Sequence, residues 1–278
     1  MSQDTAPVRI PDLIRKKTLG QKITMLTAYD ASMARALDEA GVDALLVGDS
    51  LGNVIMGCET TIPVTLDIMT HHTRAVVNGT RRALVVADMP FLTYQVNAGE
   101  AVRNAGRLIQ KGGAAAVKLE GGSPVAPTVR RIVDAGIPVM GHIGLIPQSV
   151  HRLGGYRTVG STSEEAQALF DDAAALEKAG VFSIVLECVP PDTAAAITAA
   201  VAVPTIGIGA GPHCDGQVLV SYDAFGLTRG RVPGFVRRYA KLGEQMTEAA
   251  RQYIADVEHG RFPASRQSAG AAAGQKVE

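Results

Sequence analysis

One phrase recurs four times in this chain. A polar, helix-like segment ends on glycine, and a short apolar run follows at once. The copies are DEAGVDALLVGD (38–49), IQKGGAAAVKLE (109–120), VDAGIPVMGH (133–142) and EKAGVFSIVLE (177–187). Glycine just past a helix adopts the left-handed conformation without a Cβ penalty, so each of these glycines marks a helix stop. The runs behind them do not alternate apolar and polar residues and are rich in Val, Ile and Leu. Strands that read this way are buried on both faces, as in a parallel sheet covered by helices. A β-sandwich, whose strands alternate, does not produce this pattern.

Filling the gaps between the copies gives eight candidate strands, near 23–27, 44–48, 83–88, 115–120, 137–141, 182–187, 204–208 and 218–221. Asn97 with Glu100 and Ser161 with Glu164 have the spacing of a capping box. Ser123-Pro124 sets a cap ahead of a first-turn proline. Eight strand–helix units in roughly 250 residues are what a (β/α)8 TIM barrel needs. A doubly wound open sheet is the alternative. The expected organisation is an N-terminal extension over 1–22, a barrel catalytic domain over 23–264 that ends in a long amphipathic helix, and a disordered tail over 265–278.

Composition excludes several classes. The 27 basic residues balance 27 acidic ones, so no basic excess is left for a nucleic-acid face. Cys58, Cys188 and Cys214 form no close pair, which argues against disulfides or a thiolate zinc site and for a reducing cytoplasm. The start, Met1 to Lys17, has no apolar core and is not a signal peptide. Thr193 to Pro212 carries no charge over the length of a membrane span, but it is mostly Ala, Gly and Thr and is split by Pro204. It reads as a helix followed by a strand, and no membrane association is expected.

The strands share a second feature. Each is apolar until its C-terminal end, where a reactive residue stands: Asp49, Asp88, Lys118 with Glu120, His142 and Glu187. In a barrel those ends converge on the catalytic face. Because side chains alternate along a strand, Lys118 and Glu120 line the barrel mouth if Val117 and Leu119 face the helices. A lone acid at a strand end is as easily a cap or a turn residue, and His142 as easily a core histidine. A lysine within a buried strand needs a partner or a function. His71-His72 is no metal pair, since adjacent helical positions diverge. The Gly207–Gly211 run lacks the rest of a dinucleotide fingerprint.

Carboxylates without Cys ligands or a His pair suit a hard divalent ion such as Mg²⁺, held by few protein oxygens. Such a site waits for an oxygen chelate, which a 2-oxo acid supplies. The metal would polarise the carbonyl and stabilise an enolate. Glu187 is the candidate base for the neighbouring C–H, and Lys118 would offset substrate negative charge.

The segments LTAYDAS (26–32), LLVGDSLGNV (45–54), VVADMPF (85–91), VKLEGG (117–122), GHIGLIPQSV (141–150), LECVP (186–190), IGIGAGPHCDGQVLV (206–220) and DAFG (223–226) resemble those of the ketopantoate hydroxymethyltransferase family. The resemblance implies a Mg²⁺-dependent (β/α)8 barrel, a cytoplasmic homodecamer. It further implies transfer of a one-carbon unit from 5,10-methylenetetrahydrofolate to 3-methyl-2-oxobutanoate, giving 2-dehydropantoate for pantothenate synthesis. By matching motifs it implies Asp49 and Asp88 as metal ligands, with Glu120 completing the metal site at longer range. Ser50 and Lys118 join the two aspartates in holding substrate, His142 contacts product, and Glu187 is the base. The chain departs from the family at His151 and at Arg157-Thr158-Val159-Gly160. Rival readings are another Mg²⁺-dependent 2-oxo acid lyase or a phosphonomutase, a Schiff-base aldolase using Lys118, and a non-enzymatic keto-acid sensor.

Overall fold

The structure, a computed structural model, describes residues 6–155, 157–230, 232–264 and 267. The chain divides into two compact units, one running to Ser221 and the other starting at Tyr222. In the first, a helix α1 (Ile10–Thr18) precedes β1 (Ile23–Thr27), α2 (Ala31–Glu39), β2 (Ala44–Val47), the short α3 (Leu51–Val54) and α4 (Leu66–Gly79). Then come β3 (Leu84–Asp88), α5 (Ala98–Arg107), β4 (Ala116–Glu120), α6 (Ala126–Asp134), β5 (Val139–Gly144), the short α7 (Val150–Leu153) and α8 (Ser163–Ala179). The unit finishes with β6 (Ser183–Glu187), α9 (Pro191–Ala200), β7 (Thr205–Ile208) and β8 (Gly216–Leu219).

The eight strands pair in parallel, each with the next, and β1 closes on β8. This is the expected (β/α)8 barrel rather than the open sheet. The four repeat glycines, Gly41, Gly113, Gly136 and Gly180, all take positive φ, between 83° and 94°. The uncharged stretch resolves into α9 and β7, and among the described residues no helix is long and apolar enough to cross a membrane.

Register sets which side chains fill the barrel. Met25, Ala44, Leu46, Leu84, Val86, Ala116, Met140, Val185, Ile206 and Val218 form one buried cluster. Counting on by two from Val86, Ala116, Met140 and Val185 reaches Asp88, Lys118, His142 and Glu187, so alternation brings these four to the inner face. Gly216 makes the closure possible, because a Cβ there would stand 2.6 Å from the carbonyl of Ile23. Strand β8 begins at Gly216, two residues before the expected 218, and ends at Leu219.

Three local expectations shift. Asn97 caps α5 through Glu100 N–H as the spacing requires. The next box slides by one residue: Thr162, not Ser161, accepts from Glu165 N–H, and the Glu165 carboxylate accepts from Gly160 and Ser161. STSEE holds two overlapping frames, and the second wins. Ser123 caps no helix. Its N–H and hydroxyl both donate to Asp172, and α6 starts later, at Ala126. Strand β5 runs on through His142 to Gly144, beyond the expected 141.

The extension before β1 gave no helical signal in the sequence reading, yet α1 seals the N-terminal end of the barrel. Leu13 joins the core cluster with Ile23 and Phe182, which stand at the starts of their strands. Two adjacent lysines fasten it. Lys16 Nζ lies 2.6 Å from Asp43, which also accepts from Thr24 N–H and hydroxyl. Lys17 Nζ lies 2.9 Å from Asp215, which accepts in the same way from Thr205.

The second unit contains α10 from Tyr222 onward (Ser221–Ala224) and α11 (Leu242–Glu258), on which Met246, Tyr253 and Ile254 are exposed. The amphipathic helix expected after Phe235 thus begins at Leu242. The expected disorder of the tail from Ser265 lies, but for Gln267, outside the described residues.

Truncating a buried leucine to alanine typically costs about 2–5 kcal/mol. Leu13→Ala should therefore lower the unfolding free energy, read from urea titration, by an amount within that range. A loss under about 1 kcal/mol would mean that α1 is a loose appendage and not part of the core.

Candidate active site

The C-terminal ends of β2 to β6 meet in a buried polar cluster. Gly48 turns the chain out of β2, and it has to be small there: a Cβ would stand 2.7 Å from Ser50 Oγ and 3.6 Å from Asp88 Oδ2. The next residue, Asp49, donates its backbone N–H to Asp88 Oδ2 at 3.0 Å. Ser50 shares a hydrogen bond with the Tyr29 hydroxyl at 2.8 Å. Asp88 lies directly across the sheet from Lys118, and Glu120 from His142. All six sequence-selected strand-end residues, with Ser50, come together.

Charges organise the cluster. Lys118 Nζ stands 2.9 Å from Asp88 Oδ1 and 3.3 Å from His142 Nδ1. Burial alone would strip the ammonium of its proton, but Asp88, Glu120 and Asp49 overrule it and hold Lys118 above the usual lysine range. Lys118 is only 4% exposed, so it forms the floor of the site rather than its open rim. Burial lowers the His142 pKa, and Lys118 lowers it further, so the imidazole is neutral. Since Lys118 can only donate, Nδ1 accepts, and the ring proton sits on Nε2. Nε2 points toward Glu187 Oε2 at 3.2 Å but lacks hydrogen-bond alignment.

The other acids are strained electrostatically. Burial and the neighbouring Asp88 push Asp49 up to about 7, against the pull of Lys118 and of a Gln148 hydrogen bond. Glu120 is likewise raised, by burial first and by Asp49 next. Three buried carboxylates around one ammonium leave the site short of positive charge. Asp88 Oδ1, though ion-paired, is buried without a well-aligned hydrogen bond. These are hard oxygen donors, and they fit a hard divalent cation. Among the described residues no three His, Cys, Asp or Glu side chains converge closely enough to hold one unaided. Two aspartates with further oxygens from elsewhere would be needed.

Two residues at this site carried no role in the sequence reading. Gln148, in the turn after β5, donates from Nε2 to Asp49 Oδ2 at 2.9 Å. Tyr94, in the loop after β3, donates its hydroxyl to Gln148 Oε1 at 2.8 Å and accepts from Glu120 N–H. Both lie in loops, where periodicity gives no signal. Gln148 stood inside the GHIGLIPQSV motif, but a neutral amide does not announce itself as chemistry.

Removing one partner of a buried ion pair costs about 3–5 kcal/mol, because the other charge is left uncompensated. Lys118→Met should accordingly lower the melting temperature markedly, while its apolar stem keeps the packing. An unchanged Tm would show that the three acids do not depend on this ammonium.

A family model described as ketopantoate hydroxymethyltransferase matches residues 7–265. A 3-methyl-2-oxobutanoate hydroxymethyltransferase of Syntrophomonas wolfei is 56% identical over 259 residues, 93% of this chain and 94% of the relative. Its namesake in Moorella thermoacetica is 57% identical over 92% of this chain and 95% of the relative. Among solved structures, a putative phosphonomutase from Burkholderia cenocepacia superimposes with a TM-score of 0.62 at 16% identity, covering 90% of this chain and 98% of that one. That likeness is one of fold.

Proposed function

The chain belongs to the ketopantoate hydroxymethyltransferase family, and from that premise we propose that it transfers a hydroxymethyl group from 5,10-methylenetetrahydrofolate to 3-methyl-2-oxobutanoate, forming 2-dehydropantoate in pantothenate synthesis. The observation that carries the chemical reading is the difference in access within the cluster. The Glu187 side chain is 17% exposed, against 3% for Glu120 and His142. Of the acids gathered here, Glu187 alone stands where a proton acceptor can meet a substrate arriving from solvent.

Asp49 and Asp88 would hold Mg²⁺, with Glu120 reaching it through water. Polarisation of the 2-oxo group, which acidifies the adjacent C3–H, is the chemistry that Mg²⁺ supplies when bound. The chain's own groups do the rest. Lys118 faces the negative charge of the substrate carboxylate and of the enolate. Ser50 hydrogen-bonds the substrate. His142 stands beside Glu187, with Nε2 3.2 Å from one carboxylate oxygen, and the Glu187 carboxylate takes the C3 proton. The enolate carbon then bonds to the folate methylene as one C–N bond breaks, and water replaces the second C–N bond with a hydroxyl. The two nitrogens take up the C3 proton and a proton of that water and leave as tetrahydrofolate, and His142 contacts the product.

A lysine kept charged is a poor nucleophile toward a carbonyl, which disfavours the Schiff-base aldolase. A lyase or phosphonomutase reading has only the shared barrel in its support. The exposed apolar residues of α11 support assembly into a homo-oligomer, for which the family resemblance implies a decamer, and the cytoplasm is the compartment that fits.

Two experiments test this reading. Excess chelator should abolish turnover with both substrates and Mg²⁺ should restore it; full activity in chelator would end the metal assignment. Glu187→Gln should still bind Mg²⁺ and keto acid, yet lose exchange of the C3 proton with deuterated water by about 10²–10⁴-fold, the typical worth of a general base. Exchange at the wild-type rate would move the base elsewhere.

A further inference from the structure

Gln148 touches the ends of three consecutive strands from a loop that follows a fourth. Its Nε2 donates to Asp49 Oδ2 at 2.9 Å, just past β2, and to the Met89 carbonyl at 3.0 Å, just past β3. Its backbone N–H donates to Glu120 Oε2 at 3.0 Å, at the end of β4. Its Oε1 accepts from the Tyr94 hydroxyl at 2.8 Å and from Gln95 Nε2 at 3.3 Å. The residue is 5% exposed.

This arrangement leaves the amide one orientation. The Met89 carbonyl can only accept, so Nε2 must face it, and Oε1 faces donors. Reversing the amide would set oxygen against oxygen at Asp49 and Met89. The Tyr94 hydroxyl has a single proton. It goes to Oε1, the nearer acceptor, while Glu120 N–H donates to the Tyr94 oxygen at 3.2 Å.

We propose that Gln148 is a positioning residue for the metal and substrate site: by capping Oδ2 of Asp49 and Oε2 of Glu120 it fixes the rotation of both carboxylates, and Tyr94 acts through it. The proposal rests on the reading of Asp49 and Glu120 as parts of a Mg²⁺ site. A carboxylate with one oxygen tied to a rigid donor presents its other oxygen in a fixed direction. Freed of that donor it rotates, and the ion loses a preset ligand. Outer partners of this kind are typically worth about 10–100-fold in metal affinity.

The test measures binding of Mg²⁺ to the whole protein by isothermal titration with saturating 3-methyl-2-oxobutanoate and no folate present, so that the oxygen chelate is supplied and no transfer occurs. Gln148→Met keeps the length and fills the space but removes both amide donors. It should weaken Mg²⁺ by about 10–100-fold with a Tm close to wild type. Tyr94→Phe should weaken it less, in the same direction. The combined variant should lose no more than Gln148→Met alone, because the hydroxyl works through the amide. Wild-type affinity in folded Gln148→Met overturns the proposal. If that variant does not fold, wild-type affinity in Tyr94→Phe overturns it. An unsubstituted protein that takes up no Mg²⁺ overturns instead the reading of the site beneath it, so the two failures look different.

Discussion

The ammonium of Lys118, set among carboxylates near the axis of the barrel, is the interaction on which the rest of the site depends. A charge 4% exposed survives only with compensation at contact distance, and Asp88 supplies it at 2.9 Å. Asp88 in turn receives the backbone N–H of Asp49 and so holds the turn after β2. On the other side, burial lowers the His142 pKa and the same ammonium lowers it further, and its contact with Nδ1 decides which ring nitrogen carries the proton. The tautomer that faces Glu187 is thus set by a residue two strands away. Electrostatics runs around the barrel rim from β2 to β6 through this one cation.

Much of this was legible beforehand because two periodicities agree. Glycine stops followed by unalternated apolar runs specify a parallel sheet. Period-two alternation then sends Asp88, Lys118, His142 and Glu187 to one inner face once Val86, Ala116, Met140 and Val185 are placed in the core. What stayed hidden has physical causes. α1 has only a short apolar stripe, and its worth comes from contacts with Ile23 and Phe182 that no local window contains. β8 pairs with β1 and β7 from Gly216 onward, and a residue without a side chain gives no hydrophobic signal. The cap at Thr162 beats Ser161 through which carboxylate reaches back, and the sequence permits both. Tyr94 and Gln148 sit in loops, and the importance of an amide between two acids is visible only when both acids are in view.

The ion pairs at the two ends of the barrel serve opposite ends. At the N-terminal end Lys16 and Lys17 each meet one aspartate that is already braced by a threonine, so charge and hydrogen bonds are balanced. At the C-terminal end three buried acids share one ammonium, and Asp49 is pushed up to about 7. Stability is concentrated where no chemistry is proposed, and unmet demand where it is. This division matches the general barrel pattern, in which one face folds the protein and the other carries function.

The packed interior of the barrel has a kinetic meaning. Met25, Leu46, Val86, Ala116, Met140 and Val185 fill the barrel beneath the cluster, so a reactant reaches it from the C-terminal ends of the strands. Traffic through one doorway has an order: what sits deepest goes in first and comes out last. A small acid seated against Lys118 would be covered by any larger molecule arriving above it, and its departure would wait on that molecule leaving. The apolar filling of the barrel, touching no reactant, would thereby impose a sequence on the events above it.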